Sequence, residues 1–146
     1  ESLLVIRQHP WSRGDRDSGH AVQAMAEGLG IAQRVVHLHE GDTPLLIRHA
    51  AGVVVVNSTV GLMALRMERP LMVLGQAVYR RNDLCFPGEL DRFWRHACPP
   101  PSRQVAPFLR QLVALTQVPC DLYAPRHHPL AWRVHEAPST RPEAQP

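Results

Sequence analysis

Histidine at the end of an apolar run is a first candidate for chemistry. The segment Arg7-Gln8-His9-Pro10 follows such a run directly. Proline biases the residue before it toward extended backbone. An imidazole there can donate to a phosphate oxygen, more strongly when protonated. A second segment, Val56-Asn57-Ser58-Thr59-Val60-Gly61, reads as strand end, polar turn and helix start. The first turn of a helix presents backbone N–H groups and the positive end of a dipole, a setting that suits phosphate. Ser58 and Thr59 add hydroxyl donors, and Gly61 permits close backbone approach. Simple N-capping by Asn57 or Ser58 accounts for the same pattern equally well, and one residue can do both.

The third segment, His37-Leu38-His39-Glu40-Gly41-Asp42, admits several readings. An HxH pair beside carboxylates can chelate a metal. The run partly matches the HxHxDH signature of metallo-β-lactamase-like hydrolases, but Gly41 and Asp42 stand where that signature has Asp and His. Strand alternation sets His37 and His39 on one face, where either can meet a base or ribose. Glu40 can accept from ribose hydroxyls. An exposed polar strand end explains the segment just as simply. The fourth segment, Gly75 to Asp83 with Tyr79, Arg80 and Arg81, could form part of a pocket wall, and its arginines could pair with a carboxylate or phosphate; a solvated loop is the plainer reading. His127, His128 and His135 lie in a proline-rich region and receive no role.

These segments need elements to hold them. Leu3 to Ile6 reads as a buried parallel strand and Arg7 to Gly19 as a loop. Ala21 to Leu29 reads as a helix whose Val22, Met25, Ala26 and Leu29 share a face. Val35 to Leu38 is the second strand. A helix capped by Asp42 or Thr43, with Pro44 in its first turn, runs to about Ala51. Val53 to Val56 is the third strand, Thr59 to Arg69 a helix stopped by Pro70, and Leu71 to Leu74 the fourth strand. Alternation at this spacing predicts an α/β fold, a parallel sheet with helices on both faces. Ligands of such sheets bind beyond the carboxyl ends of the strands, where the first three segments fall. Further on, Glu89 to Ala97 reads as a short helix, Pro99-Pro100-Pro101 as a linker and Val105 to Thr116 as an amphipathic helix. Residues 1–118 are expected to form a Rossmann-like nucleotide-sugar-binding domain. Residues 119–146 are expected to form an irregular or disordered extension.

Composition narrows the classes. The chain has 146 residues, 45% hydrophobic, enough for one domain with a core. Its 16 basic residues are all arginine and are scattered along the chain, unlike a nucleic-acid face. The net charge of +3 suits an anionic ligand. Three cysteines, odd in number and widely spaced, argue against a disulfide framework or zinc knuckle and fit a reducing cytoplasm. No apolar run is long enough to span a bilayer. GxGxxG, Walker A and GxSxG motifs are absent. Strand-like sequence begins almost at Glu1, as expected for a piece of a longer protein.

Taken in order, Arg7-Gln8-His9-Pro10, the block Arg34 to Gly75 and the segment Gly88 to Trp94 (GELDRFW) resemble the bacterial capsule polysaccharide biosynthesis and export family, which includes β-Kdo transferases. The similarity covers roughly residues 3 to 95. It implies the C-terminal, nucleotide-binding half of a GT-B glycosyltransferase that takes a CMP-activated acidic sugar, CMP-Kdo foremost. By the same resemblance, His9 and Ser58 would contact the CMP phosphate, with His9 stabilising the leaving group. Arg7, Pro10, Asn57, Thr59, Val60 and Gly61 would complete that site, and His39 and Glu40 would lie near the cytidine or ribose. No metal or other cofactor is implied, since donors and dipoles stabilise the leaving phosphate. The catalytic carboxylates would lie in an N-terminal domain, which would also take the lipid-linked saccharide acceptor, so no nucleophile or base is assigned here. A cytoplasmic location, peripheral to the inner membrane, fits such an acceptor. Two other readings stay open: a non-catalytic binding or assembly module of capsule export, and a GT-B enzyme using another nucleotide sugar.

Overall fold

The structure, a computed structural model, describes residues 2–8 and 17–116. Two compact units divide the chain, Glu1–Gln111 and Leu112–Pro146. In the first, β1 (Leu4–Arg7), α1 (Asp17–Gly28), β2 (Val35–Leu38), α2 (Thr43–His49), β3 (Val53–Val55), α3 (Val60–Arg66), β4 (Leu71–Val73) and α4 (Leu90–His96) follow in order, with a 3-10 turn at Ala32–Arg34 before β2. Helix α5 (Ser102–Thr116) runs from the first unit into the second. In the second unit the Thr116 hydroxyl donates to the Leu112 carbonyl at 2.7 Å.

The alternation of strands and helices is present, and the strands are parallel. Their pairing differs from a single sheet. β1 pairs with β2 in the register Leu4 to Val35 through Arg7 to Leu38, and β3 pairs with β4 from Val53–Leu71 to Val55–Val73. These are two separate two-stranded ladders. Strands of three residues, as β3 and β4 are, offer few ladder bonds on either edge.

Burial is uneven between the pairs. α3 packs on β3 and β4 and meets α2. Ile47, Val55, Ala64, Leu65, Leu71, Val73, Tyr79, Leu84, Cys85 and Val105 form the core there. Phe93 of α4 is buried beside Gly52, where a Cβ would stand 2.8 Å from its ring, so only glycine fits without a shift. By contrast, Leu4 and Val5 of β1 are about two-fifths exposed, against the expectation of a buried strand. Among the described residues that pair has α1 against β2 as its main cover, and a parallel strand is buried only when both faces are covered. The α1 face is likewise half used: Ala26 is buried, but Met25 and Leu29 are two-thirds exposed.

Element ends follow local chemistry with two exceptions. Asp42 caps α2, its Oδ1 accepting from the Leu45 N–H at 3.0 Å, with Pro44 in the first turn. α3 closes at Met67 and Glu68 turns left-handed at φ 54°, so the chain leaves the helix before Pro70. The first exception is α1, which starts at Asp17 and runs through Gly19, read from sequence as loop. The second is α5, which starts at Ser102 and carries Pro107 inside it.

Leu65 has no exposed surface and lies among β3, β4 and α2 residues. Leu65→Ala is expected to cost about 2–5 kcal/mol, read as a lower urea midpoint. An unchanged midpoint would place the core elsewhere.

Candidate functional site

Because each pair is parallel, the loops leaving its two strands emerge at the same end. At the end of β1 and β2, the Gln8 N–H extends the ladder to the Leu38 carbonyl at 2.9 Å. The side chains continue it: His39 Nδ1 lies 2.7 Å from Gln8 Oε1. An amide oxygen only accepts, so in this bond His39 Nδ1 is the donor. His37 and His39 share one face, as strand alternation predicts, with ring centroids 4.7 Å apart and planes at 78°. α1 closes on this pair at Gly19, where a Cβ would stand 3.3 Å from His37 Nδ1 and 3.7 Å from His39 Nε2. That tight fit explains why α1 runs through a glycine. Among the described residues no three His, Cys, Asp or Glu side chains gather as metal ligands. Glu40 is exposed at the bend after β2. Arg7 donates weakly to the Gln8 carbonyl at 3.4 Å, and its Nε is buried without a partner among the described residues. His9 and Pro10 lie outside the described residues.

At the end of β3 and β4 the ladder continues from Leu74 N–H to the Val55 carbonyl at 2.8 Å and from Gly75 N–H to Val56 at 3.0 Å. Asn57 then packs on Gly75; a Cβ at Gly75 would come within 2.5 Å of Asn57 Oδ1. The Ser58 hydroxyl oxygen accepts from the Val60 N–H at 3.2 Å, and the Ser58 carbonyl accepts from Gly61 N–H at 3.0 Å. Neither Asn57 nor Ser58 is the N-cap of α3, which is Thr59; Ser58, the residue before it, binds the first helical N–H. As a hydroxyl it keeps an O–H to donate. Thr59 is exposed, already helical at φ −59° and ψ −16°, and makes no cap bond. Val60 packs against the core.

Gly61 has a reason that sequence did not show. Tyr79 is buried and its ring lies over Gly61, where a Cβ would meet ring atoms at 2.5 Å. The Tyr79 hydroxyl donates to the Ser58 carbonyl. The close approach permitted by Gly61 is thus made by Tyr79. The only hint of it in the sequence was the apolar run Ala77-Val78-Tyr79 soon after a strand end.

The two arginines of that loop are engaged. Arg80 Nη1 donates to the Gly75 carbonyl at 2.9 Å. Arg81 holds Asp83 through two bonds, 3.0 and 2.8 Å, and lies 5.6 Å from the centre of the Phe108 ring. The hydrogen bond from Arg81 holds the Asp83 carboxyl below its usual range. Behind them a cavity of about 120 Å³ is lined by Met72, Leu74, Arg80, Asn82, Phe86 and Gly88.

Burial raises the Tyr79 phenol, helped by the neighbouring Cys85 thiol, and burial raises the Cys85 thiol too. Cys85 Sγ also donates to the Tyr79 carbonyl at 3.2 Å. Both groups bind their protons more tightly folded than unfolded, so their contribution is complete below the ordinary thiol value of 9.0. It falls as pH rises past that value and through the ordinary phenol value of 10.0. Denaturant midpoints are expected to be flat from neutral pH to about 9 and to drop above it, less steeply in Cys85→Ala. An equal drop in both proteins would show that Cys85 has no part in it.

With this geometry in place, sequence comparison gives the chain's relatives. The family described as capsule polysaccharide biosynthesis protein matches residues 1–123. The chain is 36% identical over 123 residues to the capsule polysaccharide export protein KpsS of Escherichia coli, covering 84% of this chain and 32% of that protein. It is 29% identical over 125 residues to the capsule polysaccharide modification protein LipB of Neisseria meningitidis, covering 85% and 30%. The chain thus spans about a third of the length of the curated relatives it matches. No solved structure matches it.

Proposed function

The chain belongs to the capsule polysaccharide biosynthesis protein family, and we propose that within it these residues hold a CMP-activated acidic sugar, CMP-Kdo foremost, as the donor half of a GT-B glycosyltransferase. The observation that carries the reading is the Ser58 turn. It stands at the carboxyl end of a parallel pair, the customary ligand edge of α/β sheets. Its serine oxygen accepts from Val60 N–H while its O–H stays available to donate. The exposed Thr59 hydroxyl lies beside it.

The chemistry follows from charge. Transfer of the sugar leaves a CMP whose phosphate gains negative charge as the glycosidic bond breaks. Donors aimed at that phosphate stabilise the departing group more than the intact donor. Ser58, Thr59 and His9 supply them, with Arg7 adding positive charge at the end of β1. His39, held by Gln8, and Glu40 take the cytidine or ribose side. The base that activates the acceptor belongs to another part of the protein, which also receives the lipid-linked saccharide. Such an acceptor calls for a cytoplasmic enzyme peripheral to the membrane; among the described residues no helix is long and apolar enough to cross one. A second reading, a non-catalytic module of capsule export, is favoured by the similarity to the capsule polysaccharide export protein of Escherichia coli. Release of CMP from the donor, dependent on acceptor, separates the two.

Calorimetric titration of CMP, with UMP as control, tests the site. Hydrogen bonds to a charged group are worth about 1.5–3 kcal/mol, so His9→Ala and Ser58→Ala should each weaken CMP at least about tenfold. UMP should bind poorly throughout. Equal binding of UMP, or CMP affinity unchanged in both variants, would overturn the reading.

A further inference from the structure

The Ser58 turn does not hold its shape alone. Its helix is short, seven residues, and Thr59 contributes no cap bond. What braces it comes from the segment after β4. Tyr79 donates to the Ser58 carbonyl, the same oxygen that accepts from Gly61 N–H, and its ring fills the space above Gly61. Tyr79 is itself fixed from behind. Its carbonyl accepts from the Cys85 thiol at 3.2 Å, and Arg80 N–H bonds to the Ala77 carbonyl at 2.9 Å, closing the turn that carries it. Arg80 then reaches back to the Gly75 carbonyl. Through Gly75 the brace meets Asn57, the residue before Ser58.

We propose that Tyr79 is a positioning residue of the phosphate site: its hydroxyl holds the Ser58 carbonyl so that the Ser58 and Thr59 hydroxyls stay aimed at the donor's phosphate. The proposal rests on the phosphate reading of the turn given above. Tyr79 is 3% exposed and makes its bond with the main chain, so it acts on the ligand only through Ser58. A buried phenol needs a partner in any case, and packing alone would give Tyr79 a place in the core. The two roles separate because phenylalanine keeps the ring over Gly61 and removes only the O–H. An ordinary phenol, at 10.0, is protonated at neutral pH, and burial raises it further, so the donor is present there.

The test compares CMP with cytidine, which differ by the phosphate, in the protein as encoded in full. Wild type should prefer CMP, and Ser58→Ala should cut that preference at least about tenfold. Tyr79→Phe should reduce it about three- to tenfold, the worth of a neutral hydrogen bond, while cytidine affinity and the thermal midpoint stay near wild type. A p-aminophenylalanine at position 79, which restores an N–H donor on the same ring, should recover most of the preference and serves also if Tyr79→Phe fails to fold. Full preference in Tyr79→Phe, beside its fall in Ser58→Ala, would overturn the role of Tyr79 and leave the phosphate reading standing. An equal fall for CMP and cytidine would make Tyr79 structural and overturn the proposal. No preference for CMP in wild type would overturn the reading and the proposal together.

Discussion

Parallel strands cannot be joined by a tight turn; each connection must cross over before the next strand begins. That constraint organises the described structure. The crossover from β3 to β4 is α3, with Val56 to Pro70 as the whole connection, and it brings the carboxyl ends of both strands to one place. Asn57 therefore meets Gly75, and the loop that follows Gly75 can lay Tyr79 on the Ser58 turn. The same rule acts on β1 and β2, where Gln8 and His39, 31 residues apart, become hydrogen-bonded neighbours.

The two pairs use the rule with different support. β3 and β4 are short but sit inside the core, with Leu71, Met72 and Val73 all buried. Their precision comes from glycines used as contact points: Gly52 under Phe93, Gly61 under Tyr79 and Gly75 under Asn57. At each, the missing Cβ is the space another side chain occupies, so the loops are set by packing and only then by hydrogen bonds. β1 and β2 are longer yet keep apolar side chains in contact with water, and their order depends on the ladder and the Gln8–His39 bond.

Much of this was legible from sequence. Short apolar runs marked the strands, continuous at β3 and β4 and broken only by His37 at β2, since parallel strands lose the alternation of half-exposed ones. Asp42 before Pro44 marked the α2 start, and the period-two spacing of His37 and His39 placed both rings on one face. What was illegible depended on distant partners. Pairing into two ladders cannot be read from runs of three residues. The exposure of Leu4, Val5, Met25 and Leu29 depends on what covers them, which periodicity does not encode. Arg80 and Arg81 read most plainly as part of a solvated loop, but their partners were not legible: Asp83, two residues on, takes Arg81, and the Gly75 carbonyl takes Arg80. Tyr79 stood in a segment read as part of a pocket wall, but its own part was hidden because its partner, the Ser58 carbonyl, is main chain.

The central claim is that the Ser58 turn holds the phosphate of a cytidine nucleotide. Hydrogen exchange of the protein as encoded in full, with and without CMP, reads that turn directly. The account predicts slower exchange in peptides covering residues 56–64, weaker slowing in those covering residues 37–42, and neither effect with UMP. Protection confined to other peptides, such as those lining the cavity around Phe86, would contradict it.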